Sequence, residues 1–248
     1  MNGLPLILYE NRFKDATPVA SSTAAGAEYS VLNLRDWRNF TWWKASAIPA
    51  HVTVDCGVSK AADYLYVYGE AGTYEARSST DGFVANSTTR GTVTLTKFGM
   101  GLATFASASA RHWRLTVPSG AAPAIAIGAI GAKLEFPRRL AQPFDPLGHM
   151  ARGEVNDTEE GNPLGAVDAF DEWSQAIELR NIDRAWVANT LRPAWLAHLK
   201  SDPFAFAWDP VDHATELYHV KPMREYAAPS GNGNFVNFSA TLRGRVQW

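Results

Sequence analysis

A single cysteine, Cys56, occurs in the 248 residues, so no intrachain disulfide can form and a cysteine-based zinc cluster is excluded. No apolar run approaches the ~20 residues that a helical membrane span needs. Neither sign of charge prevails: 23 Lys and Arg face 25 Asp and Glu, a net charge of −2. That balance gives no electrostatic case for nucleic acid or an anionic membrane surface. Also missing are the Gly-x-Ser-x-Gly elbow, the His-Glu-x-x-His zinc pattern and the Gly-x-x-x-x-Gly-Lys-Ser/Thr phosphate loop. No catalytic residue, cofactor site or metal site is therefore assigned. His213, Glu216 and His219 fall near a turn but make too few ligands for zinc. The stretch from Met1 to Glu10 lacks the basic flank and cleavage site of a secretory leader. It reads as a first strand of a protein made in a reducing cytoplasm.

What the chain does have is apolar and aromatic residues, 46% and 12%. That suffices for one large β domain or two ordinary ones. The stretch Ser109–Val117 organises the first half. As a strand it puts Ala110, His112, Arg114 and Thr116 on one face and Arg111, Trp113, Leu115 and Val117 on the other. Trp113, Leu115 and Val117 form a core row. The two arginines oppose each other across the strand, so at least one belongs at a strand end or beside a carboxylate or carbonyl. Between Asp63 and Gly69 the same alternation separates Leu65 and Val67 from Tyr64, Tyr66 and Tyr68.

Four pieces in order resemble the discoidin-like, galactose-binding-like β-sandwich. They are Trp42-Trp43-Lys44-Ala45 with Val52-Thr53-Val54-Asp55-Cys56-Gly57; Ser78-Ser79-Thr80-Asp81-Gly82; Arg111-His112-Trp113-Arg114-Leu115; and Ile127-Gly128 through Lys133-Leu134-Glu135-Phe136. His112 stands where that family usually has tyrosine. Trp42, Asp55, Gly57, Asp81, Arg111, Trp113 and Arg114 carry this signature. The resemblance implies ligand-facing loops at one end of the sandwich, but those loops show no matching motif and no binding residue is carried over. Trp37, flanked by Asp36 and Arg38, is a candidate contact for a glycan or a partner, because an indole stacks on a sugar face; the alternative is a core position.

The last third differs. Trp173, Gln175, Ile177 and Leu179 alternate as a half-buried strand, and Asn181-Ile182-Asp183 can cap a helix. Ile182, Trp186, Leu191, Trp195 and Leu199 recur at helical spacing, with Pro193 forcing a kink or a second helix. Phe204, Phe206 and Trp208 share one strand face and Ala205 and Ala207 the other. Val236, Phe238, Ala240, Leu242, Val246 and Trp248 form the apolar face of a closing strand. Lys200 to Asp209 is similar to a segment of tail-tip and baseplate proteins of long-tailed bacteriophages, the distal-tail group in particular.

The expected organisation is mainly β: a jelly-roll sandwich at residues 1–138, a linker or loop at 139–165, and a β-rich unit at 166–248 with a short helix pair within 183–200. Gly153 to Gly165, with Asp157, Glu159 and Glu160, reads as a solvated loop. Asp145, Asp168, Asp171 and Glu172 are the carboxylates that a glycosidase pair would draw on. The resemblances imply a non-enzymatic structural component of a phage tail tip or baseplate, made in the host bacterial cytoplasm and located in the virion. Its partners would be copies of itself in a threefold or sixfold ring, the tube, hub and fibre proteins, and a host-surface glycan. A stand-alone lectin is the alternative, and a polysaccharide-degrading enzyme the third reading.

Overall fold

The computed structural model describes residues 3–157, 159–160, 163–223, 226–229 and 233–245. Its strands in chain order are β1 (Leu6–Leu8), β2 (Val19–Ala20), β3 (Trp43–Lys44), β4 (Ala50–Gly69), β5 (Gly72–Ser79), β6 (Thr88–Leu95) and β7 (Gly99–Val117). There follow β8 (Ala124–Gly131), β9 (Leu134–Glu135), β10 (Met150–Asp157), β11 (Pro163–Asp183), β12 (Phe204–Ala207), β13 (Leu217–Pro222) and β14 (Phe235–Arg245). The chain is mainly β, with a sandwich-like first unit followed by a second β-rich part.

The sandwich sheet runs β3-β8-β4-β7-β5-β6, with β2 added on β4. Its two long strands, β4 and β7, pair antiparallel along most of their length, and the register breaks between Asp55 and Lys60. There the pair bends, so that one curled sheet encloses its own core. Strict alternation fills that core: Val52, Val54, Leu65, Val67, Trp113, Leu115 and Val117 all point in. Trp113 donates its indole N–H to the Lys60 carbonyl at 3.2 Å, which satisfies the one polar atom of a buried ring. The row expected at Trp113, Leu115 and Val117 is therefore core.

The second sheet runs β10-β11-β14-β13-β12-β1-β9. Two of its strands, β1 and β9, come from the ends of the region expected to form the sandwich alone. Leu6–Leu8 pairs with Ala205–Ala207 on one side, and Leu6 and Ile7 with Glu135 and Leu134 on the other. The two units thus share strands.

β12 is buried on both faces. Phe204 and Phe206 join Trp173, Ile177, Trp195 and Phe238 in the core of the second unit. Ala205 and Ala207 face the other way, with Leu6 and Leu8, against Tyr64, Tyr66 and Tyr68 of β4. Small residues on one sheet accommodate large rings on the other, so β4 serves two cores at once. Each buried Phe contributes on the order of 4–6 kcal/mol gross, before ordering entropy.

The helix pair expected at 183–200 takes the form of one helical run over 184–199, capped by the Asp183 carboxylate accepting from Ala185 N–H at 2.7 Å. The backbone stays right-handed helical through Pro193. Wider turns on either side accommodate the proline: the Arg192 N–H reaches back five residues to Val187 O, and Lys200 N–H to Trp195 O.

The loop expected at Gly153–Gly165 is replaced largely by strands. Met150–Asp157 pairs with residues 163–172 of β11, because long-range pairing supplies hydrogen bonds that a polar composition does not announce. The side chains of Asp157 and Asp168 lie outside the described residues, as do Val246 and Trp248. The rest of the closing apolar row, Val236, Phe238, Ala240 and Leu242, is buried.

Candidate functional site: a cation-rich face of the sandwich

Residues that alternate with the core positions of β4, β7 and β5 build an outer face in three rows. Register places His51 beside Thr116 and Glu75, Thr53 beside Arg114 and Arg77, and Asp55 beside His112 and Ser79. Signature residues widely separated in sequence therefore meet here.

At one end Arg111 grips Asp55 through two bonds, Nε to Oδ1 and Nη2 to Oδ2, both 2.7 Å. Gly57 N–H adds a third at 2.8 Å, in a turn where φ is +73°; glycine adopts that conformation without strain. The Arg111 bonds, then that of Gly57, hold the Asp55 carboxyl far below its usual range. His112 Nδ1 lies 3.8 Å from the same carboxylate. Arg111 is thus the arginine that needed a carboxylate partner at a strand bend.

Next to it, Asp81 nucleates a tight turn. Its carboxylate accepts from Ser79 Oγ (2.6 Å) and from the N–H groups of Phe83 (3.1 Å), Ala85 (2.9 Å) and Asn86 (3.0 Å). These bonds, the Ser79 hydroxyl first, lower its pKa to about 2. The turn forces Gly82 and Phe83 to φ of +76° and +68°. For Phe83, which carries a Cβ, this costs roughly 1–3 kcal/mol. In that conformation its ring lies under the Arg114 guanidinium, with Cζ 3.8 Å from the ring centroid. Arg114 Nε donates to Thr53 Oγ1 at 2.8 Å. Across the strand, Arg77 is held by Glu75 through Nε (2.8 Å) and Nη2 (2.7 Å). Burial first, then Arg77, pulls the Arg114 pKa below its ordinary value, and burial followed by Arg114 does the same to His51.

The candidate contact Trp37 is not on this face or on any surface. It is 2% exposed, donates its indole N–H to Tyr9 O at 3.1 Å, and stacks on Tyr66 and His219. Only its neighbours reach solvent, where Arg38 pairs with Asp36 at 3.7 Å. The ring was needed to fill the seam between the sheets, so a sugar platform at Trp37 is corrected to a core position. Trp42 is half-buried against Phe98, and Trp43 beside it is fully buried. Trp208 is half-buried, donating to Glu216 at 2.8 Å and leaning on His213.

Among the described residues the other candidate carboxylates Asp145 and Glu172 are held by separate partners. Asp145 accepts from Leu147 N–H in a turn, and Glu172, 1% exposed, pairs with Arg243 at 2.7 Å. Among the described residues no group of three His, Cys, Asp or Glu is placed to hold a metal ion. A groove of about 520 Å³ runs between the β6–β7 hairpin and residues 214–217, lined by Phe98, Met100 and threonines of β6. Sequence reasoning did not single out His51, Thr53, Glu75 or Arg77, and it did not foresee the backbone conformation of Phe83. The alternation of β5 beside β7 was the available signal for Arg77.

No protein-family model matches the chain. No curated protein matches it either. Among solved structures, the chain is similar to chitosan-binding module 1 of a chitosanase/glucanase from Paenibacillus sp. IK-5. That match has 23% identity and a TM-score of 0.42, covering 49% of this chain and 98% of that one. A Clostridium perfringens module, CpGH89CBM32-5, in complex with GalNAc-β-1,3-galactose is 19% identical, with a TM-score of 0.43, covering 50% and 100%. The family 32 carbohydrate-binding module of NanJ from C. perfringens, in complex with galactose, is 16% identical with a TM-score of 0.41, covering 50% and 98%.

Proposed function

We propose that this chain is a non-catalytic glycan-binding protein whose sandwich carries the sugar site on the β4–β7–β5 face. The observation that carries the reading is the Phe83–Arg114 pair: a ring held in a strained backbone conformation by the Asp81 turn, with a guanidinium fixed on it. Strain of this kind persists where surrounding bonds over-determine it, and such places are enriched in binding sites. Sugar recognition needs an apolar patch beside rigidly placed donors and acceptors. Phe83, Thr53, His51, Arg77 and Glu75 supply both. A glycan array with the full chain, followed by calorimetry, tests it. Phe83→Ala is expected to weaken binding about tenfold or more, the scale of losing one anchoring contact. A wild-type chain that retains no sugar sinks the reading.

A second reading, compatible with the first, is a structural component of a bacteriophage tail tip or baseplate. One feature of the second sheet favours it. Among the described residues β14 pairs with β11 from Glu172 onward, and residues 150–157 and 163–171 pair with each other. A two-stranded arm is marginal alone and leaves edges open; docking on a neighbouring subunit satisfies it. The similarity of Lys200–Asp209 to distal-tail proteins points the same way. In this reading the protein sits in the virion as a threefold or sixfold ring, contacting tube, hub and fibre proteins. Light scattering is expected to give an oligomer that dissociates when the arm is deleted; a monomer in both cases ends it.

A further inference from the structure

Resting on the glycan reading, we propose that the ligand is an acidic saccharide whose carboxylate docks between Arg114 and Arg77 on the sandwich face. The register makes the case. Arg77 and Arg114 lie directly opposite each other in the β5–β7 ladder. Like charges in that position destabilise a sheet. Glu75 pairs with Arg77, its Oε2 taken by Nε and Nη2 of that arginine.

Arg114 is left without an ion pair among the described residues. Its Nε is spent on Thr53, while its plane is fixed by Phe83. The terminal nitrogens of a half-buried guanidinium are thus aimed by packing rather than by an anion. Withdrawing such a charge from water without a counter-ion is unfavourable. Burial first, and then the positive potential of the neighbouring arginine, lowers the pKa of Arg114 and of His51, and the second contribution marks a local excess of positive charge. The excess is local, because the chain as a whole carries a net charge of −2.

A planar carboxylate matches the guanidinium fork in two parallel bonds. Neighbouring groups indicate that the anion belongs to a sugar. Thr53 offers a hydroxyl, and the Phe83 ring an apolar edge, beside the two arginines. A bare anion would use neither.

Calorimetry with the full chain decides the matter, using trigalacturonate and sialyllactose as carboxylate probes and galactotriose and lactose as neutral ones. A sulfated chondroitin oligosaccharide, short polyglutamate and an oligonucleotide complete the set. Carboxylate sugars are expected to bind at least roughly tenfold more tightly than neutral ones, the scale of a charge-assisted bond, and to weaken as salt rises. Arg114→Gln is expected to erase that preference, Arg114→Lys to restore part of it, and Arg138→Gln, the same charge change elsewhere, to leave it intact. Thermal midpoints confirm that each variant folds. Neutral sugars binding as well as acidic ones, with Arg114→Gln indifferent, overturns the acidic assignment and leaves the glycan reading standing. Preference for the sulfated probe overturns the carboxylate. Equal binding of polyglutamate or the oligonucleotide reduces the face to bare charge and overturns the proposal. Binding of none of the probes removes the glycan reading beneath it.

Discussion

Trp37 and His219 meet in the seam between the sheets, their rings stacked at 6.4 Å. A buried imidazole is disfavoured in its charged form, and burial lowers the His219 pKa to about 4, against a hydrogen bond donated to the Trp37 backbone that raises it. The folded value lies below the unfolded one of ~6.5. The unfolded chain therefore binds the extra proton first as pH falls. The stabilisation is full above about pH 6.5 and is lost progressively towards pH 4, on the order of 3 kcal/mol in all. Melting curves across that window are expected to show a falling midpoint, with a shallower slope in His219→Phe. Trp37→Ala is expected to cost ~3–5 kcal/mol in chemical denaturation. The flanking Asp36 and Arg38 suggested a surface ring because sequence reports who the neighbours are, not which way each side chain turns. The conformation of Phe83 was hidden for a related reason. A left-handed backbone at a phenylalanine follows from the hydrogen bonds of Asp81, three of them to backbone N–H groups.

Among the elements, the strands with strict alternation were legible: β4, β7 and β12 sort their apolar and small residues by a period of two, which is local information. Tyr64, Tyr66 and Tyr68 could be placed on one face of β4, though not assigned to a second core, since their cover comes from β1 and β12. β10 and the early part of β11 were not legible, because what makes them strands is each other. Close approach between elements adds a constraint of its own. At the end of β8, a Cβ on Gly131 would collide with the Glu10 carbonyl, the same oxygen that accepts the Tyr64 hydroxyl. Backbone cannot yield there as a flexible side chain would. Gly131→Ala is expected to destabilise by ~1–3 kcal/mol, read as a lower denaturation midpoint with an unchanged slope.

For the molecule as a whole, the division into a sandwich and a second β-rich part follows the composition of the two halves, but the sheets do not respect it. β1 and β9 complete a sheet whose other strands come from residues 150–245. A fragment of residues 139–248 would leave β12 with an open edge and Ala205 and Ala207 uncovered. It is expected to aggregate or remain unfolded by circular dichroism, while the same fragment co-expressed with residues 1–138 is expected to be recovered as a folded complex.

The position of Leu6–Leu8 also sets a timetable. During synthesis these three residues precede their partner Phe206 by some two hundred residues. At ~5–20 residues per second the strand waits on the order of ten seconds or more with an apolar edge bare. The nascent chain thus exposes this apolar segment until Phe206 has emerged, and chaperone dependence would be relieved most simply by moving that segment beside its partner in the sequence.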